Sequence, residues 1–120
     1  MGQPVVRFEV MGKDADKLQG FYSGLFDWEI DSHHGYGRVS RDANVNEDGV
    51  GIDGGIGAMP GAGEHLTFYV EVPDIEAALV KSEELGGSRL FGPAEVNPGL
   101  ELGFFADPEG NKVGVIRSSG

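Results

Sequence analysis

One pattern occurs twice in this chain, about sixty residues apart, and it constrains the fold more than any other sequence feature. Residues 4–10 alternate between apolar and polar side chains, as a half-buried strand does, and Asp14 follows where it can cap a helix. Residues 66–72 alternate in the same way, and Asp74 takes the capping position. Because a wrong interpretation of one copy would not be expected to recur in the other, we interpret the chain as an internal duplication.

Each half is predicted to run strand, helix, strand, strand, strand, which makes the fold α+β. The predicted strands of the first half are 4–10, 28–32, 36–41 and 52–59, and those of the second half are 66–72, 88–91, 100–105 and 112–117. The first helix should cover the apolar face of its strand with one stripe, which contains Ala15, Leu18, Phe21, Tyr22 and Leu25. We therefore expect one domain over residues 1–120, with module one at about 3–60 and module two at about 64–117. Pro60 to Gly63 is the expected linker, and residues 118–120 are expected to fray.

The charge balance excludes several classes of partner. The chain has 20 acidic and 9 basic residues, so its formal net charge is −11. Nucleic acids and anionic membranes attract clustered Lys and Arg, so neither is an expected partner.

There is no cysteine, which rules out disulfides, thiolate metal sites and a cysteine nucleophile. No apolar run is long enough for a membrane span, and no secretory signal is evident, so a cytoplasmic location is expected.

Two apparent motifs do not meet the requirements of the sites they suggest. Residues 49–54 spell GxGxxG, but a dinucleotide fingerprint must follow a strand and open a helix, whereas this stretch leads into more glycine and then Pro60. Residues 42–46 begin like a calcium loop, but Glu47 occupies the position that requires glycine. Both stretches are predicted to be turns.

The duplicated pattern resembles the vicinal oxygen chelate superfamily, which contains glyoxalase I, bleomycin-resistance proteins and extradiol dioxygenases. The resemblance covers nearly the whole chain and is carried by four segments, Val5–Val10, Phe21–Trp28, Tyr69–Leu79 and Asp107–Asn111. Asp27 stands where the family usually has glycine, and Asp also tolerates the left-handed conformation. The resemblance implies two tandem βαβββ modules that form a cup-shaped mixed sheet with helices on the outer face, commonly completed as a homodimer.

The same resemblance implies where a metal would be bound in enzymes of the family, through His and Glu ligands on the opening and closing strands. The matching positions here are Arg7, a position near Tyr69, Gly57 or a neighbour, and Gly114. None of these residues is a His or Glu, so no metal ligand and no cofactor are predicted. His33 and His34 are expected in a turn and His65 at the start of a strand, all three with surface roles.

Polar and aromatic side chains are nevertheless predicted on the face of the strands that is turned away from the helices. These residues are Arg7, Glu9, Thr67, Tyr69 and Glu71. A ligand cleft, a water-filled groove or a dimer interface would each explain them. Trp28 and Tyr36 could add stacking surfaces, although Trp28 could equally pack in the core. Glu9 and Glu71 could bind a hard cation, but a charge pair with Arg7 needs no metal.

Three hypotheses follow for function. The first is a metal-free small-molecule-binding protein in which an acidic, aromatic cup holds a cationic planar ligand. The second is a metal-dependent lyase, isomerase or dioxygenase with non-standard ligands, in which Glu9 and Glu71 would be required. The third is a non-catalytic interaction module that kept the fold and lost the ligand, because fold alone does not determine function.

Overall fold

The computed structural model describes residues 2–59 and 63–118. Its elements in chain order are β1 (Val5–Met11), α1 (Ala15–Phe26), β2 (Ile30–His33), β3 (Tyr36–Val39), β4 (Asp53–Gly57), β5 (His65–Glu71), α2 (Ile75–Glu84), β6 (Ser88–Asn97), β7 (Leu100–Ala106) and β8 (Lys112–Ser118). The predicted α+β fold of two tandem βαβββ modules is confirmed. Most of the predicted linker (60–62) and the last two residues of the predicted tail lie outside the described residues. Neither described helix is long and apolar enough to cross a bilayer.

The chain divides into two compact units. The amino-terminal unit contains residues 7–66, and its strands follow the order β2-β3-β4-β1. β1 and β4 are parallel and place Glu9 opposite Gly55, whereas β3 is antiparallel to both β2 and β4. His34 and Gly35 connect β2 to β3 with positive φ angles of 52° and 84°. Two successive residues of this kind form the tight hairpin turn that the sequence predicts.

The carboxy-terminal unit contains residues 1–6 and 67–120, and its strands follow the order β5-β8-β7-β6. α2 begins at the cap Asp74, whose side chain accepts a hydrogen bond from the Ala77 N–H at 3.0 Å. It packs Ile75 and Leu79 against Val115 of β8 to form the core of this unit. β6 is longer than the predicted 88–91, because it continues to Asn97 through register shifts. An edge strand tolerates these shifts and a proline, since only one of its sides is paired.

Helix α1 confirms its predicted cap and part of its predicted buried stripe, since Ala15, Leu18 and Tyr22 are half-buried. Asp14 accepts a hydrogen bond from the Lys17 N–H, and the helix ends at Asp27 with a left-handed φ of 58°. Phe21 and Leu25, both predicted to be buried, are 61% and 58% exposed. The buried residue is Gln19, whose side-chain amide donates a 2.8 Å hydrogen bond to the carbonyl of Ile56 in β4. This bond holds the helix with Gln19 towards the strands, so the buried stripe is rotated away from Phe21 and Leu25 and keeps Ala15, Leu18 and Tyr22.

The stretch between β3 and β4 is a loop organised by one arginine. The Arg41 side chain donates to the carbonyls of Gly49 and Gly51, and its backbone N–H donates to Asp53 Oδ1. The side-chain oxygen of Asn46 accepts hydrogen bonds from the backbone N–H groups of Asp48 and Val50. The glycine carbonyls that GxGxxG places here are therefore used within the loop, which agrees with the predicted turns.

Candidate functional site

Four ionisable side chains meet in the amino-terminal unit, on the face of its strands that α1 does not cover. Arg7 and Glu9 come from β1, Tyr36 from the start of β3, and His65 from the first position of β5. Phe8, between Arg7 and Glu9, points to the other face, because successive side chains of a strand alternate. We call Arg7, Glu9, Tyr36 and His65 the Glu9 network.

Glu9 lies at the centre of this network. The Tyr36 hydroxyl donates to Glu9 Oε2 at 2.8 Å and accepts from Arg7 Nη2 at 2.5 Å. His65 Nε2 lies 2.6 Å from Glu9 Oε1. The side chains of Glu9 and His65 are only 10% and 7% exposed. The network therefore holds a carboxylate largely out of water, where it depends on hydrogen bonds and opposite charge.

The environment of Tyr36 keeps its hydroxyl protonated. Burial, followed by the negative charge of Glu9, raises the pKa of Tyr36 to about 12, although the charge of Arg7 acts in the opposite direction. A phenol with this pKa carries its proton at neutral pH and can donate it in a hydrogen bond to Glu9. Tyr36 thus connects a positive and a negative group while remaining neutral.

Glycines of β4 make room for the network. A Cβ at Gly55 would overlap the hydroxyl of Tyr36 and would lie 2.9 Å from Arg7 Nη2. On the opposite face a Cβ at Gly54 would overlap the ring of Phe8. Consecutive glycines therefore let side chains approach the strand closely from both faces. Gly54 and Gly55 of β4 therefore have a packing role.

Trp28 is not part of the network. Its ring lies against Phe8, Tyr22 and Phe26, with ring centroids 5.1–5.9 Å apart, on the face that α1 covers. The structure therefore gives Trp28 the core-packing role rather than the stacking role that was considered for a ligand. Of the predicted site residues, Arg7, Glu9 and Tyr36 are brought together, and Trp28 is separated from them by β1.

The remaining predicted site residues belong to the carboxy-terminal unit. Thr67 is buried and donates to the carbonyl of Lys112 at 2.6 Å. Tyr69 is 2% exposed and packs against the ring of Phe104, whose centroid is 5.5 Å from its own. Glu71 is exposed at the end of β5. Thr67 and Tyr69 are thus packed within their unit's described structure, and Glu71 is open to solvent.

His65 was missed by the sequence reasoning. Its predicted place at the start of a strand is confirmed, but its predicted surface role is wrong, because its side chain is only 7% exposed. The resemblance predicts the family's fifth-strand histidine near Tyr69, but the histidine of β5 lies four residues earlier, at its first position. A signal existed, because His65 has the same alternation parity as Thr67 and Tyr69. The predicted surface positions of His33 and His34 are confirmed.

The donor set offers little to a resident divalent metal. Among the described residues no group of three or more His, Cys, Asp or Glu side chains is placed to hold one. The Glu9 network contributes one carboxylate and one imidazole, whereas a catalytic zinc site has three protein ligands. A guanidinium also stands beside these two donors, and its charge repels a cation. These residues do not fit a resident metal.

Comparison with known proteins gives a family and a fold. The sequence model of the glyoxalase-like domain matches residues 8–116. A benzaldehyde dehydrogenase structure from Legionella pneumophila, described as NAD-dependent, is 14% identical with a TM-score of 0.67, covering 94% of this chain and 98% of that one. A Streptomyces coelicolor methylmalonyl-CoA epimerase variant in complex with 2-nitronate-propionyl-CoA is 15% identical with a TM-score of 0.62, covering 98% and 99%.

A third solved structure has the same fold. It is a glyoxalase/bleomycin resistance protein/dioxygenase superfamily member from Vibrio splendidus 12B01, 15% identical with a TM-score of 0.62, covering 96% of this chain and 98% of that one. No curated protein sequence matches the chain. At these identities the solved structures establish the fold alone, so the function has to be argued from the site.

Proposed function

Because the chain belongs to the glyoxalase-like domain family, we propose that it binds a small molecule at the Glu9 network without a resident metal. The observation that supports this proposal most is the burial of Glu9 and His65 beside Tyr36 and Arg7. Perturbed, interacting ionisable groups cluster at functional sites more often than elsewhere. The function proposed here is therefore recognition of a ligand by these four side chains.

A purely structural role explains the network less well. Replacing a buried ion pair by apolar side chains of similar volume is often neutral or stabilising, so stability alone does not require such groups. The strands also leave one face of the amino-terminal unit without a covering helix, and Gly55 keeps side-chain bulk away from Tyr36. Polar groups gathered on a strand face that no helix of the unit covers are typical of a ligand site.

The class of ligand predicted from sequence has less support than the binding role itself. The prediction of a cationic planar ligand depended on the acidity of Glu9 and Glu71 and on stacking surfaces from Trp28 and Tyr36. Trp28 packs against α1, and Glu9 contacts Tyr36 and His65. A cationic aromatic compound therefore enters the experiment as a competing outcome.

An enzyme of the same superfamily is the second candidate. The contact that favours it is the 2.6 Å approach of His65 Nε2 to Glu9 Oε1, because two such groups can pass a proton between them. One similar solved structure is described as an epimerase. Turnover of a bound compound, abolished in Glu9→Gln, would favour this candidate over binding alone.

The binding proposal can be tested by NMR on isotope-labelled protein. A library of metabolite-sized anionic, neutral and cationic compounds is titrated, and we expect a subset to give saturable amide shifts concentrated around Arg7, Tyr36 and Gly55. Glu9→Gln keeps the side-chain shape and should weaken those interactions. Glu47→Gln, the same change at an exposed glutamate of the same unit, is the matched control and should leave the shifts unchanged. The proposal is wrong if no compound saturates, or if the shifts lie elsewhere and Glu9→Gln leaves them unchanged.

The predicted homodimer and cytoplasmic location stay predictions. Exposed apolar side chains on α1, namely Phe21, Leu25 and Phe26, are compatible with association of two chains. Sedimentation at several protein concentrations tests the dimer directly.

A further inference from the structure

The Arg7 guanidinium has few partners in the described part of the chain. A guanidinium presents five N–H donors. Arg7 donates through Nη2 to the hydroxyl of Tyr36, and its Cζ lies 5.8 Å from the centre of that ring. No carboxylate oxygen of the described residues lies within 4.0 Å of its nitrogen atoms. Arg7 is half-buried, so its remaining donors are removed from part of their water without gaining a direct ion pair among the described side chains.

The nearby carboxylates are directed to other groups. Glu9 receives the Tyr36 hydroxyl on one oxygen and lies against His65 with the other. Asp53 is the register partner of Arg7 across β1 and β4, but its Oδ1 accepts the backbone N–H of Arg41 at 2.8 Å. The positive charge of Arg7 is therefore positioned by a neutral hydroxyl rather than by a carboxylate.

We infer that the ligand of this site carries an anionic oxygen group, a carboxylate or a phosphate, which Arg7 binds. This inference rests on the proposed function and adds the ligand's chemical class. Planar guanidinium donors match two oxygens of such a group, and charge-assisted hydrogen bonds of this kind are short and strong. Tyr36 contributes by holding the guanidinium in place. At physiological ionic strength salt screens charges beyond about 8 Å, so most of the chain's net charge of −11 acts weakly on Arg7. Glu9 lies within that range, and its carboxylate already accepts the Tyr36 hydroxyl.

A matched series of probes separates ligand charge from ligand shape. Benzoate, phenyl phosphate, benzamide and benzyltrimethylammonium share one ring and differ in the charged group. By NMR titration we expect benzoate or phenyl phosphate to shift the amides around Arg7 and Tyr36 in a saturable way, with at least tenfold tighter binding than the other two probes. The stronger of the two anions identifies a carboxylate or a phosphate as the preferred group.

Variants of Arg7 test the residue itself. Arg7→Gln should weaken binding of the preferred anion at least tenfold, and Arg7→Lys, which keeps the charge and loses the planar fork, should fall between it and the wild type. Arg117→Gln removes the same charge at an exposed site of the other unit and should leave binding unchanged. If Arg7→Gln does not fold, as judged by its amide spectrum, Arg7→Lys and the probe series decide.

Three results would overturn the inference. One is that benzamide or benzyltrimethylammonium binds as tightly as both anions, and another is that Arg7→Gln binds the preferred anion with the affinity of the wild type. Either result would leave the small-molecule site in place but show that it does not select an anionic group. Absence of saturable binding by both anions would also overturn the inference. The proposed function fails separately, only if the wider compound library gives no saturable binding at the Glu9 network.

Discussion

Removing one oxygen atom, in Tyr36→Phe, should destabilise the amino-terminal unit far more than the same change at Tyr22. The Tyr36 hydroxyl makes two hydrogen bonds, one from Arg7 and one to Glu9, and both partners are charged. Hydrogen bonds to charged groups contribute about 1.5–3 kcal/mol each. Because the site is only partly buried, water replaces some of what is lost, and we expect about 2–4 kcal/mol in total.

The measurements are urea unfolding, which gives the free energy, and thermal unfolding, which gives the melting temperature. Both are followed by the fluorescence of Trp28, the single tryptophan, which lies in the same unit as Tyr36. For a chain of this size about 1 kcal/mol corresponds to roughly 4 °C, so the melting temperature should fall by about 8–16 °C. Tyr22→Phe is the control, because the Tyr22 hydroxyl makes no hydrogen bond within the described residues. It should stay within about 0.5 kcal/mol of the wild type. Equal stability of the two variants would refute the reasoning.

Three further predictions concern the same unit. Because the Tyr36 pKa is raised from 10.0 to about 12, the contribution of this group to stability should be complete below pH 10 and lost as the pH rises towards 12. The urea midpoint should therefore fall more steeply across that pH range in the wild type than in Tyr36→Phe. His65→Ala leaves the buried Glu9 carboxylate without its imidazole partner and should lower the free energy of unfolding by about 2–4 kcal/mol. His33→Ala, at an exposed ion pair, should change it by less than about 0.5 kcal/mol, and similar losses for the two variants in urea unfolding would contradict this. Gly55→Ala forces a Cβ into the Tyr36 hydroxyl and should destabilise the protein by about 1–3 kcal/mol, whereas Gly20→Ala, in α1 with open space around it, should stabilise it by about 0.5–1 kcal/mol. Calorimetry that shows stability changes of the same sign for both variants would exclude this account of β4.

The duplication and the two faces of β1 could be predicted because they depend on local periodicity. Alternation alone places Arg7 and Glu9 opposite Phe8, and the caps Asp14 and Asp74 are local hydrogen-bonding choices. Asp27 likewise adopts the left-handed conformation that was considered acceptable there. These features need no knowledge of distant residues.

The helix orientation and the full site depend on partners far away in the sequence. Gln19 is buried because its amide reaches the carbonyl of Ile56, and no helical period indicates that such a bond will form. His65 comes to Glu9 across 56 positions of sequence, a separation that alternation does not bridge. Trp28 had two physically reasonable roles, and only the position of α1 decides between them.

The glycines of β4 also have a consequence for how this part of the chain acquires order. Glycine is a poor strand former, so β4 has little tendency to be extended by itself. Its backbone is held by pairing with β1 and β3 and by the rings of Phe8 and Tyr36 that close over it from either side. β4 should therefore become ordered late in folding, and its amide hydrogens should exchange sooner than those of β1 whenever either ring is displaced. Hydrogen exchange at Gly54 and Gly55 would thus report whether both faces of the unit are complete.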